Sequence, residues 1–348
     1  MRKKIILSIA AVLALALLVG GAGAWIVFGP NTPVYSGTRS VKIPPRSDFD
    51  AIVDSLAAAG VLQWDQSFRW VARATGWGGQ VKAGHYVFGA GLSNYRILNK
   101  LRRGLQEPVR VTIPPGTRPE VVAAVAGRDM YFDRAAFESA LSDPHLAAEL
   151  GTDTTHLFGF MLPETYFFYW LTSAETVVRR IKGEFDTFFE RELAARADSL
   201  GLSKEDVVTL ASIIEWETAV PEERPKVSGV YHNRLRIGMK LDADPTVQYV
   251  VMQKEGRKRR LLYTDYRLQH PYNTYLRAGL PPGPLNNPSL SALRAAVNPE
   301  RHNYLYFVAT GDGSHHFSRT LAEHNRAARR YHDLMRERRA AQQNSTDR

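Results

Sequence analysis

After the four residues "MRKK" the chain runs from Ile5 to Phe28, 24 residues, without a charged side chain. As a helix such a run is about 36 Å long, enough to cross the core of a bilayer. A cleaved secretory signal has a shorter apolar stretch that gives way to a small-residue cleavage site. Here the run continues through Trp25, Ile26, Val27 and Phe28, so an uncleaved, single-pass anchor over 5–28 is expected. The basic tail 1–4 should stay in the cytoplasm, with Trp25 at the outer interface and the remainder in the periplasm or cell exterior.

Of the 348 residues, 44% are hydrophobic, which suits one or two globular domains with a real core. The formal net charge is +10, and Arg2, Lys3 and Lys4 supply three of it. The other basic residues concentrate in "KEGRKRR" (254–260) and "RAARRYHDLMRERR" (326–339), which read as a solvated loop and a solvated terminal helix. Nucleic-acid binding through them would need a recognition element and an intracellular domain, so no nucleic-acid partner is expected. With no cysteine there is no disulfide framework or thiolate metal site. His302, His315, His316 and His324 match no compact zinc spacing, and the sequence has no GxSxG, Walker or dinucleotide motif. Neither a metal nor a cofactor is expected.

Residues 29–40, rich in Gly, Pro, Ser and Thr, read as a juxtamembrane linker. "VKIPPRSDFDAIVDSLAAAGVL" then predicts a strand, a Pro-Pro turn and a helix with Phe49, Ile52, Val53 and Leu56 on one face. The pattern returns seventy residues later as "VTIPPGTRPEVVAAVAGRD", which suggests two related small units within 41–150. Between them a helix is expected from a Ser93 cap to Gly104. A second domain over 151–340 follows, with helices near 173–196 and 289–297, a helix capped by Ser203 and Asp206, and a strand at "YLYFVA". Residues 341–348 read as a polar tail.

The helix after Ser203 ends in "ASIIEWET", with two glutamates one residue apart. At 100° per residue, Val207, Ile213, Ile214 and Glu217 fall within about 60° of Leu210. Glu215 falls about 140° away and Trp216 about 120° away, off the apolar stripe. Glu217 is thereby built into the packing face, where burial raises a carboxyl pKa toward the value a general acid needs. Glu215 is expected to be partly exposed. The wheel alone leaves open that Glu217 merely closes the helix through an ion pair with a downstream arginine. Polar groups gather with Gly and Pro in later stretches: Asn233 and Arg234; Asp242, Asp244 and Thr246; Tyr272, Asn273 and Tyr275; and "GLPPGP". Such segments make cleft walls, and Tyr and Asn suit sugar recognition.

"LASIIEWET", "VSGVYHNRLRIGMKLDADPTVQY", "PYNTYLRAGLPPGPLNNPS" and "YLYFVATGDGSHHFSRTLAEHN" resemble, in order and spacing, the endolytic murein transglycosylase or YceG-like family. So do "VTIPPG", "KAGHYVF" and "FGFMLPETY", and the match covers about residues 41–335. The resemblance implies an α+β protein: a single transmembrane helix, a small LysM-like α+β domain over 41–150, then a mixed α+β catalytic domain. It implies an inner-membrane enzyme that cuts nascent peptidoglycan strands internally to leave 1,6-anhydroMurNAc ends, ending strand elongation, with cell-wall synthases as partners; no residue pattern sets an oligomeric state, and a monomer is the default. Glu217–Thr218 is similar to the Glu-Ser pair of soluble lytic transglycosylases, which implies that Glu217 is the catalytic acid/base, with Glu215 as the second candidate. Glu215, Asn233, Asp244, Thr246, Tyr272, Asn273 and Tyr275 would then contact substrate. The chain departs from the family pattern where Trp216 replaces a lysine. Two other readings compete: a peptidoglycan-binding scaffold without turnover, and an inverting hydrolase in which Asp242 or Asp244 activates water across about 6.5–9.5 Å.

Overall fold

The computed structural model describes residues 2–346, and side chains through residue 338; Met1 and the last two residues of the expected polar tail lie outside them. The apolar run forms one helix, Arg2–Phe28, whose side chains are exposed along most of its length. It is long and apolar enough to cross a membrane. The rest of the chain divides into two compact units.

The first unit holds the residues up to Arg110, together with Asp129–Tyr131 and Phe167–Thr172. Its strand Thr38–Ile43 pairs antiparallel with Gly84–Gly89, in a register running from Thr38 opposite Gly89 to Ile43 opposite Gly84. Alternation puts Val41, Ile43, Tyr86 and Phe88 on one side of this ribbon. The helices Phe49–Ala58, Asp65–Thr75 and Asn94–Arg103 cover that side with Ile52, Val53, Leu56, Phe68, Val71, Ile97, Leu98 and Leu101. Ser93 caps the last of these helices and Gly104 ends it in the left-handed conformation, both as the sequence predicts.

Residues 29–40 are more than a linker. Asn31 and Thr32 are buried. The Asn31 amide donates to Trp64 O at 3.0 Å and to Asn94 Oδ1 at 2.5 Å, its Oδ1 accepts from Trp64 N at 2.8 Å, and Thr32 Oγ1 accepts from Leu92 N. The last turn of the apolar helix is also held, since Ile26 and Val27 pack on the core and Asn94 donates to Ile26 O at 2.8 Å. Composition predicts irregular backbone over 29–40, whereas the strand already begins at Thr38 and these hydrogen bonds hold the preceding residues.

The second unit holds Val111–Arg128, Phe132–Tyr166 and the residues from Ser173 onward. The second strand-turn-helix repeat thus falls mostly within the larger unit. Its contacts explain this: Ile113 N donates to Glu164 O at 2.9 Å, Gly116 N to Asn287 O at 2.8 Å, and Trp216 Nε1 to Gly116 O at 2.7 Å. Gly116 has φ +63°, and a Cβ there would lie 3.1 Å from Glu215 Cγ, so the turn needs glycine twice over.

At the centre of this unit is the helix Lys204–Glu217, opened by the expected Ser203–Asp206 capping box. Every residue from Val207 to Ile214 is buried, including Thr209 and Ser212. The helix Leu290–Val297, opened by a Ser289 cap, packs on it and buries Ala292, Leu293, Ala295, Ala296 and Val297, three of them alanines that leave room for close approach. The helices Arg224–Arg236 and Asp244–Glu255 pack alongside, and the hairpin of Tyr306–Ala309 with His315–Ser318 leads into the helix Leu321–Thr346.

Candidate active site

Because the central helix is enclosed on all sides, the assumption of one apolar stripe fails at its C-terminal end, and both glutamates are built in. The Glu215 side chain is 9% exposed, not partly open to solvent as expected. Its Oε1 accepts from Arg224 at 3.0 Å, and its Oε2 accepts from Ser289 N at 3.0 Å and Ser289 Oγ at 2.5 Å. The ion pair with a downstream arginine, weighed above for Glu217, thus belongs to Glu215.

Glu217, the last helical residue, lines a cleft of about 590 Å³ with Trp216, Asp244, Pro245, Gln248 and Tyr266. The residue is half-buried at the edge of this cleft. Burial pushes its pKa up to about 7; a hydrogen bond from Tyr231 opposes the rise, the Asp244 carboxylate adds to it, and Arg234 opposes it. Carbonyl dipoles at a helix C-terminus disfavour a negative charge in the same sense. Tyr231 is buried, donates from its hydroxyl to Glu217 Oε1, and has its own pKa raised well above 10 by burial. One turn on, Arg234 is fixed by bonds to Leu305 O and Leu241 O, both 2.7 Å, and pairs with Asp242 at 3.3 Å.

Of the other residues expected to contact substrate, Asp244 lines this cleft, at the start of its helix. Its carboxylate accepts from Tyr275 at 2.6 Å and from Tyr266 at 3.4 Å. The rest are committed to the chain itself. Asn233 donates to His302 O at 2.8 Å and Tyr304 O at 3.1 Å. Thr246, fully buried, donates to Ala243 O at 2.7 Å, and its hydroxyl lies 2.9 Å from that of Thr274. Asn273, also buried, donates to Tyr266 O and Leu268 O and accepts from Tyr275 N. Tyr272 stacks on Tyr249, with ring centroids 4.6 Å apart. Asn233, Thr246, Tyr272 and Asn273, expected to contact substrate, thus have partners within the chain and are not among the residues lining this cleft, while Tyr275 donates to Asp244, which is. Glu215 likewise has both oxygens occupied by Arg224 and Ser289 and is not among the residues lining the cleft.

Sequence reasoning missed Tyr231, whose position in "VSGVYHNR" looks like helix core, and Lys258 and Arg260, read as solvated loop although both line the cleft. Trp216, which replaces the family's lysine, lines the cleft and is fixed by its bond to Gly116 O. Among the described residues, no three His, Cys, Asp or Glu side chains converge as a metal site would require.

The profile of the YceG-like family matches residues 41–330. The chain is 29% identical over 336 residues to the endolytic murein transglycosylase of Bacillus subtilis (strain 168), covering 90% of this chain and 91% of that protein. It is 26% identical to the endolytic murein transglycosylase of Streptococcus pneumoniae (strain D39), covering 93% of this chain but 64% of that longer protein. A crystal structure of a YceG-like protein from Listeria monocytogenes superposes with a TM-score of 0.58 at 27% identity, over 84% of this chain and 99% of that one. The helix carrying Glu217, the "VTIPPG" turn beneath it and Asp244 all fall within the matched span, and this chain belongs to the YceG-like family.

Proposed function

We propose that the chain is an endolytic murein transglycosylase, anchored by Arg2–Phe28 with both compact units in the periplasm or cell exterior, and that Glu217 is its single acid/base. The observation that carries this is a carboxyl with a pKa of about 7 in a cleft large enough for sugar rings. The names of the Bacillus and Streptococcus relatives support the same reaction class.

Protonated Glu217 donates to the oxygen joining MurNAc C1 to GlcNAc C4, and the C1–O bond breaks as oxocarbenium character develops. The carboxylate so formed is the state that the Tyr231 hydroxyl and the Arg234 charge favour. It takes the proton of the MurNAc C6 hydroxyl as that oxygen attacks C1 and closes the 1,6-anhydro ring. No water is consumed, and the intramolecular nucleophile removes the need for a second catalytic carboxylate. Asp244, held by two tyrosines, raises the Glu217 pKa instead of activating water. Glu215 positions the helix end, and Trp216 offers an apolar ring to a sugar face. The first unit is read as the LysM-like module that holds the strand, with cell-wall synthases as partners and a monomer as the working state.

The test is incubation of peptidoglycan with the full chain in neutral detergent and mass spectrometry of the products. Anhydro ends support the proposal. Reducing ends point to hydrolysis, and no cleavage points to a scaffold. The docking of Ile26, Val27, Asn31 and Thr32 argues against removing the anchor at residue 30 for this assay.

The pH profile follows from the same carboxyl. The acid form is the competent one, so kcat/KM should be level below about pH 7 and fall about tenfold per unit above it. Tyr231→Phe removes a donor that favours the ionised form, so the falling limb should move to higher pH. A limb that stays in place would show that Tyr231 does not act on Glu217.

A further inference from the structure

The cleft that holds Glu217 and Asp244 also carries two cations, Lys258 and Arg260, on the segment that follows the helix Asp244–Glu255. Arg259 between them is an anchor. It donates to both Glu255 oxygens at 2.9 and 2.6 Å and to both Asp265 oxygens at 2.6 and 3.0 Å, while Leu262 N donates to Asp265 at 2.6 Å. Asp265 is 5% exposed, and the Arg259 bonds hold its carboxyl down to about 2. The segment is therefore clamped at its middle residue, and the residues on either side are turned out. Lys258 and Arg260 are both exposed, and neither makes an ion pair among the described residues. A solvated basic loop would have no reason to spend its central arginine and a buried aspartate on fixing its own shape. Fixed geometry with unpaired cations at a cleft edge is what recognition of an anion requires.

The groups that shift Glu217 are burial, Tyr231, Asp244 and Arg234, and neither cation is among them. Resting on the reading of the cleft as a murein site, we infer that Lys258 and Arg260 form an anion-recognising lip that selects strands by charged substituents on or beside the glycan. Two groups share this chemistry: the carboxylates of the peptide stems, and the pyrophosphate at the lipid-linked end of a nascent strand.

The probes are three tetrasaccharide strands: one with free stem carboxylates, one with those carboxylates converted to amides, and one with amidated stems and a lipid pyrophosphate. Binding is measured on the full chain in neutral detergent carrying Glu217→Gln, with and without Lys258→Gln and Arg260→Gln together. Two exposed charge contacts predict a preference of about fivefold to tenfold for an anionic strand over the amidated one. It should shrink as salt rises from about 50 to 500 mM and vanish in the triple variant. Preference for the first strand assigns the stem carboxylates, and preference for the third alone assigns the pyrophosphate. Equal binding of all three, or a preference that survives in the triple variant, overturns the lip. Absence of binding to every strand overturns the proposed function itself, which keeps the two failures apart.

Discussion

Glu217→Gln should lower turnover of peptidoglycan by at least about a thousandfold while making the protein more stable at alkaline pH. The loss follows from one group serving both proton transfers: glutamine can neither donate to the leaving oxygen nor take the proton of the C6 hydroxyl. The gain follows from linkage. Burial raises the folded-state pKa of Glu217 from 4.5 to about 7, so the folded chain binds this proton more tightly than the unfolded chain. Stability contributed by the group is complete below about pH 4.5, falls as pH rises toward 7, and above 7 has declined by about 3 kcal/mol. Glutamine keeps an oxygen that can accept from Tyr231 and has no charge to desolvate. Thermal melts of parent and variant should thus separate at pH 8, with the variant higher, by a margin that closes as the pH is lowered to 4.5. A separation that does not change with pH would mean that Glu217 is solvated in the folded state, and the reading of it as an acid poised near neutrality would fall with it.

Features governed by residues close together in the chain were legible in the sequence. The apolar helix, the Ser93 and Ser203 caps, the Gly104 stop and the strand within "YLYFVA" each depend on a few adjacent side chains, and each stands where the pattern put it. The site was legible only in outline. Glu217 does carry the desolvated carboxyl, yet the helical wheel reached it through an apolar stripe that does not exist, since the helix is covered all round by elements from distant parts of the chain. The same error left Glu215 exposed on paper, because its partners Arg224 and Ser289 are brought to it by folding. Asn233, Thr246 and Asn273 have their partners inside the chain, which the sequence did not show, for a chemical reason. Amides and hydroxyls that suit a sugar suit a backbone carbonyl equally well, and composition does not tell which they will find. Lys258 and Arg260 show the converse, since a basic run reads as solvated until the clamp on Arg259 is seen.

The second large effect should come from a residue that touches no substrate. Arg224 is 8% exposed and ties three segments together: Glu215 at the end of the central helix, and Ser289 and Ser291 at the start of the helix packed on it. Arg224→Ala leaves the Glu215 carboxylate buried with Ser289 as its remaining partner. Breaking a buried pair from one side costs about 3–5 kcal/mol, because the abandoned charge keeps its desolvation penalty. In a unit of this size that corresponds to a fall in Tm of roughly 10 °C. The pair as a whole contributes less than this loss implies, since taking two charges from water offsets much of their attraction. Arg224→Met combined with Glu215→Gln should accordingly recover a large part of the lost Tm. Its effect on catalysis should differ in kind from that of Glu217→Gln. Glu215, Trp216 and Gly116 are in mutual contact, so loosening Glu215 shifts the cleft edge and lowers kcat/KM while the falling limb of the pH profile stays near 7, still set by Glu217. If Arg224→Ala melts like the parent, the network is not the element that holds the helix end; if Glu215→Gln alone abolishes turnover in a chain that melts normally, the acid has been assigned to the wrong glutamate.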